Sequence, residues 1–186
     1  MQISKINATV WAACAGAWLS SVPGEPARVQ QPQSEPAQQV FRAGAAAVDI
    51  SPATSGPIEP PSIIAGGFLE ARASALTDHL FARSIALDDG STTISLTIVD
   101  TCMMQQDLVD KAKQLASAKC GIPPEKMMVS ATHTHSAPAA MACLGIRVDE
   151  RYAALLPVKI ADAIVAAHTA LQPAQIGWSS VDDWEQ

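Results

Sequence analysis

The chain has 186 residues, of which 48% are hydrophobic and 16% charged, and its formal net charge is -6. One domain with a substantial core fits that length, since at roughly 150 residues a domain buries about 70% of the surface its unfolded chain exposes. An acidic chain without clustered Lys or Arg lacks the basic patches that phosphate binding needs, so nucleic acid is not expected as a partner.

Residues 1–22 carry a single charge, Lys5, and an apolar run from Val10 to Leu19. Ala15-Gly16-Ala17 offers the small-x-small pattern of a signal peptidase site, and the segment reads as a signal peptide. That places the protein in the periplasm or outside the cell. Asn7 and Thr9 interrupt the run, so a short N-terminal helix and a cytoplasmic location remain the alternative. After signal cleavage no stable transmembrane segment is expected. Residues 23–40 are rich in Pro and Gln with little to bury, as in a disordered linker. Of the four cysteines, Cys14, Cys102, Cys120 and Cys143, none has metal-site spacing, and they read as buried apolar residues.

The folded part is expected over residues 41–186. Alternation through Ala45-Ala46-Ala47-Val48-Asp49-Ile50 suggests a first strand closed by Ser51-Pro52. A long irregular excursion then runs to about Thr77, with Gly66-Gly67 read as a plain turn in preference to a place where backbone approaches substrate. Residues 80–87 and 93–99 alternate on either side of Asp88-Asp89-Gly90-Ser91 and predict a β-hairpin. After Asp100 the period becomes helical through Met104, Leu108, Ala112, Leu115 and Ala116. Thr101 is placed to cap this helix, and Gly121 with Pro123-Pro124 to end it. Residues 127–131 are short and apolar, a buried strand that completes a right-handed βαβ unit. Leu156, Ile160, Ala163, Ile164, Ala167 and Leu171 form the stripe of a second helix, which Pro157 starts or kinks. A last strand is expected over 174–179. The methionines read as core filler. The fold class is therefore α/β, a partly parallel sheet with a βαβ unit and a β-hairpin, helices packed on the sheet.

The strongest chemical signal follows the strand at 127–131. In Ser130-Ala131-Thr132-His133-Thr134-His135-Ser136 two imidazoles stand two residues apart. On an extended backbone such positions share a face, whereas on a helix they lie about 200° apart. His133 and His135 can then converge on one metal ion or polar substrate. In open parallel sheets ligands sit beyond the carboxyl ends of the strands, where Asp100 also falls. Asp100 is thus a candidate acceptor for an imidazole N–H, or a helix-start acid favoured by the dipole. His79 reads as a strand-entry residue and His168 as a solvent-facing helix residue.

Four segments in order resemble the N-terminal catalytic domain of the neutral/alkaline, non-lysosomal ceramidases. They are residues 44–52, 80–90, 121–126 leading into 129–136, and 171–177, and Ser-x-Thr-His-Thr-His-Ser is the specific one. The resemblance implies a zinc-dependent amidase that cleaves the N-acyl bond of a ceramide-like lipid with a metal-activated water. It makes His133 a zinc ligand and places His135 at the site, orienting substrate. The family continues Ser-Gly-Pro after the second histidine, where this chain has Ser136-Ala137-Pro138. The family's other zinc ligands, a histidine, a glutamate and a tyrosine, correspond to positions beyond Gln186. The chain accordingly reads as an incomplete version of a larger catalytic domain.

Two other classes stay open. One is another metallohydrolase using the H-x-H pair, although the Asp of a His-x-His-x-Asp pattern is replaced by Ala137. The second is a non-catalytic fragment or binding module that keeps the βαβ core.

Overall fold

A computed structural model describes residues 39–182; the expected signal peptide and most of the linker lie outside the described residues. Two alternating runs form the centre of the fold, β4 (Phe81–Asp88) and β5 (Thr93–Val99), joined by the expected tight turn. Asp88 and Asp89 accept backbone N–H groups of Gly90, Ser91 and Thr92, and Gly90 supplies the positive φ of 88° that the reversal needs. β1 (Arg42–Asp49) pairs antiparallel with β4, and β6 (Met127–Ala131) pairs parallel with β5. With β7 (Gln172–Pro173) on the edge, the order among the described residues is β6-β5-β4-β1-β7. The fold class is as expected, a mixed sheet with helices packed on it.

Both helices lie where the apolar period put them, with different ends. α1 spans Gln106–Cys120 and buries Leu108, Ala112 and Ala116. Thr101 does not cap it: the residue before the helix is Gln105, which makes no side-chain cap bond. Gly121 ends it as expected, with φ 75° and its N–H on the Ser117 carbonyl. α2 spans Glu150–Thr169 and buries Leu156, Ile160, Ala163, Ile164 and Ala167. Pro157 does not start α2 but lies inside it, and the helix continues for three further turns. α2 is long and apolar enough to cross a bilayer, but its apolar stripe packs in the core with Ile50, Ala82 and Val99.

Helices cover one face of the sheet, and small side chains line that face. Ala82, Ser84 and Ala86 of β4 and Ser95, Thr97 and Val99 of β5 are buried there. Small residues let the helices come close: a Cβ on Gly44 would stand 2.2 Å from the Ala167 carbonyl oxygen of α2. Bulky apolar side chains go to the opposite face, where Ile85, Ile98 and Met128 are 41%, 48% and 52% exposed. Met127 is core filler as expected, and Met128 is not.

Two sequence expectations fail at loops. The excursion contains a short hairpin, β2 (Ser62–Ile64) with β3 (Ala71–Ala73), too brief for its alternation to register. The strand expected over 174–179 does not form. After Ala174 N–H reaches the Phe41 carbonyl, Ile176, Trp178 and Val181 are exposed, packed on none of the described residues' core clusters.

Candidate metal centre at the strand ends

β5 and β6 are adjacent and parallel, so the segments leaving them emerge at the same edge. The ladder runs on past the strands, with Thr132 N–H on the Val99 carbonyl and His133 N–H on the Thr101 carbonyl, both at 3.0 Å. His133 has φ 62°, a left-handed conformation uncommon for a residue with a side chain. Convergence of the two rings thus comes from a turn rather than from the extended backbone expected. The geometry nevertheless brings them together: ring centroids of His133 and His135 are 5.0 Å apart, inclined at 73°.

Cys102, which the sequence marked only as an apolar residue, holds the first ring. His133 Nδ1 donates to the Cys102 carbonyl at 2.9 Å. A carbonyl only accepts, so Nδ1 carries the ring hydrogen and Nε2 keeps the lone pair a metal requires. The Cys102 thiol lies 3.7 Å from the same nitrogen. Donor atoms of Cys102, His133 and His135 all fall within 4.8 Å of one another. Burial, reinforced by Cys143 nearby, raises the Cys102 thiol pKa. The imidazoles, both exposed, are the readier ligands. One signal could have revealed Cys102: it follows β5 by three residues, at the strand edge where His133 follows β6.

His135 is positioned from the opposite side by the excursion. Ala65 N–H bonds the Ala137 carbonyl at 3.0 Å and Ala139 N–H the Ile63 carbonyl at 2.7 Å, zipping β2 to the segment after the histidines. Asp149 anchors this join, since its carboxylate accepts Ile63 N–H and also caps α2 through Tyr152 N–H. Gly66 is more than a plain turn. Its backbone lies against His135, and a Cβ there would stand 2.3 Å from the ring's Cγ.

Asp100 stands at the expected strand end but is occupied elsewhere. Its Oδ2 accepts Phe81 N–H at 2.9 Å and Arg83 Nη1 at 2.6 Å, clasping the start of β4. Among the described residues it bonds neither imidazole; the orienting acceptor is the Cys102 carbonyl. His79 is a strand-entry residue, bonded through Nδ1 to Asp49 at 2.6 Å and facing Ser51 Oγ at 3.3 Å. Both partners address one ring nitrogen, so the trio is a latch and not a proton relay, which uses the two nitrogens separately. His168 lies in the last turn of α2, outside the cluster.

A cavity of about 600 Å³ opens beside this cluster, with Thr134, His135 and Ser136 on one wall and Ile58, Leu76 and Leu80 among the others. Its volume falls in the range of small-molecule sites.

No family model matches the sequence, and no curated protein matches it. Solved structures do. The fold is similar to part of neutral ceramidase from Pseudomonas aeruginosa, with TM-score 0.60 and 24% identity, covering 73% of this chain and 22% of that one. A ceramidase complexed with C2 matches with the same values. This chain therefore spans about a fifth of the length of those enzymes, and the likeness is one of fold.

Proposed function

We propose that the chain is a zinc-dependent hydrolase of the neutral ceramidase type, acting on the N-acyl amide of a ceramide-like lipid, and that it acts as part of a longer chain. The observation carrying this reading is the pair of imidazoles 5.0 Å apart, one with its Nδ1 hydrogen committed to a carbonyl, in a fold shared with neutral ceramidase. His133 would hold zinc through Nε2, with His135 beside it and the Cys102 thiol within reach. Bound zinc supplies Lewis acidity, lowering the pKa of water toward 7 so that a nucleophile exists at neutral pH. The remaining work falls to the chain. The Cys102 carbonyl keeps the His133 tautomer, and Gly66 with the β2 zipper holds His135 at the cavity mouth, where an exposed imidazole can orient the amide or exchange its proton. Asp100 acts at one remove, keeping Phe81 and Arg83 in register at the neighbouring strand end. The signal-like N-terminus supports export as the setting for a lipid substrate.

The test is zinc stoichiometry on the full chain and on a version extended by downstream sequence, followed by hydrolysis assays with N-acylsphingosine, simple esters and a β-lactam. The expected result is zinc lost in His133→Ala and cleavage confined to the N-acyl lipid. Cleavage of only the non-lipid substrates would transfer the site to another metallohydrolase class. Absence of zinc from both lengths would leave a non-catalytic module.

A further inference from the structure

We infer that the sulfur side chains of Cys102, Met103, Met141 and Cys143 form a second metal site, selective for a soft monovalent ion, copper(I). All four line one cavity of about 10 Å³, room for about one water-sized particle. Five methionines and three cysteines lie among the described residues, and two of each meet here, from segments on either side of α1 and β6. Packing holds the first pair: Cys102 is 2% exposed within a cluster that includes Ala65 and Ile146, and Met103 lies against that cluster. A tight turn brings the second. Cys143 and Ile146 exchange backbone hydrogen bonds of 3.2 and 2.9 Å around Leu144 and Gly145, whose φ values are 53° and 84°. Ile146 thereby ties Cys143 to the cluster in which Cys102 sits.

The donor set selects the ion. Zinc takes thiolate, imidazole and carboxylate, and iron–sulfur clusters take four thiolates, whereas soft thioethers beside thiols suit copper(I). Neither an imidazole nor a carboxylate lines this cavity. His133 Nδ1 lies 3.7 Å from the Cys102 sulfur, but its hydrogen is committed to the Cys102 carbonyl, so the ring offers that sulfur no lone pair. Charge agrees as well. Copper(I) carries one positive charge, so one thiolate neutralises it: an S–H bond breaks, an S–Cu bond forms, the proton leaves to solvent and no electron moves. The thioethers then complete the set without adding charge to a largely apolar pocket. This site does not rest on the hydrolase reading, which uses the imidazoles. Cys102 faces both clusters, so Cys143 and Met141, which belong to this one alone, discriminate.

The experiment is anaerobic titration of the reduced full chain with copper(I), buffered by a chromophoric copper(I) chelator. The expected result is one ion per chain with a sulfur-to-copper charge-transfer band in the ultraviolet. Cys143→Ser and Met141→Leu conserve side-chain size, and each should weaken copper(I) binding about tenfold or more while zinc affinity stays the same. Thermal midpoints without copper confirm that both variants fold. Cys120 ends α1 and lines a different cavity, so Cys14→Ser with Cys120→Ser removes the thiols outside the site and should change nothing. His133→Ala should keep copper(I) affinity within about threefold. Copper(I) affinity that survives both Cys143→Ser and Met141→Leu would overturn the inference. So would its loss in His133→Ala or in the Cys14 and Cys120 variant, either of which would place the ion elsewhere. Competition by silver(I), a redox-inert ion of the same charge, is expected; displacement by zinc would merge the site with the imidazole pair and end the proposal. The two readings fail separately: copper(I) binding by a chain that takes up no zinc removes only the hydrolase reading, and zinc binding with copper(I) affinity unmoved by both variants removes only this one.

Discussion

Gly66→Ala tests whether the excursion positions His135. An added Cβ would stand 2.3 Å from His135 Cγ, 2.5 Å from its Cβ and 2.8 Å from its Cα. Reaching an ordinary contact near 3.4 Å requires His135 to retreat by about 1.1 Å, backbone included. Gly66 also has φ 95°, where a side chain adds about 1–3 kcal/mol of strain. Strain and contact together predict a loss of about 2–4 kcal/mol, a fall of roughly 4–16 °C in the thermal midpoint for a domain of this size. His135 stands beside the zinc that His133 would hold, and its displacement by an ångström should also cost about 10-fold to 100-fold in zinc affinity, the range for a group that supports a metal site from outside the ligand set, measured by competition with a chromophoric chelator. Gly56→Ala isolates the backbone effect, because Gly56 has φ 77° but nothing within 4 Å of its Cβ position. That control should lose only about 1–2 kcal/mol and keep its zinc affinity. If Gly66→Ala matches Gly56→Ala in both midpoint and affinity, Gly66 does not position the ring and the reasoning fails.

Cys102→Ser keeps the backbone carbonyl that orients His133, so zinc affinity should fall less than about threefold; a larger loss, with a sulfur-to-metal charge-transfer band in the wild-type cobalt form, would make the thiol a ligand. Asp88 has its carboxyl pKa lowered from the usual value by the Thr93 hydroxyl first and then by Arg42 and Gly90 N–H, against the opposing effect of burial. A lowered folded-state pKa contributes stability above the unfolded carboxylate value and loses it as pH falls through the folded value. Asp88→Asn should therefore destabilise the protein at neutral pH and flatten the acid limb of its stability profile, followed by urea midpoints below about pH 4; an unchanged limb would show that the carboxylate adds nothing. Ile98→Lys with Met128→Lys should leave the midpoint within about 1 °C and raise solubility, since both side chains are half exposed; a drop of several degrees would mean that this face is packed in solution.

Local patterns were legible where one element carries its own period and ends. The β4–β5 hairpin was readable because alternation and the Asp88-Asp89-Gly90-Ser91 turn sit side by side. α1 was readable through Leu108, Ala112 and Ala116, and its end through Gly121, but its start was not, since no residue there makes a side-chain cap. The strand expected over 174–179 failed for the opposite reason. Its apolar residues fit a strand, yet a strand forms only against a partner, and after Ala174 there is none among the described residues.

By itself, the order of residues determined that two imidazoles leave the end of a strand, close to a second strand end bearing Asp100; that this strand is not the buried one expected but an edge strand of the described sheet with only Met127 buried was decided by the sheet order. Tertiary structure alone decided what surrounds them. It turned His133 into a left-handed conformation, set the Cys102 carbonyl on its ring, engaged Asp100 with Arg83, and pressed Gly66 against His135. Each of these depends on residues distant in the chain meeting through the parallel β5–β6 register and the β2 zipper. Sequence period records which face of an element is apolar; it does not record which other element that face, or the loop beyond it, will meet.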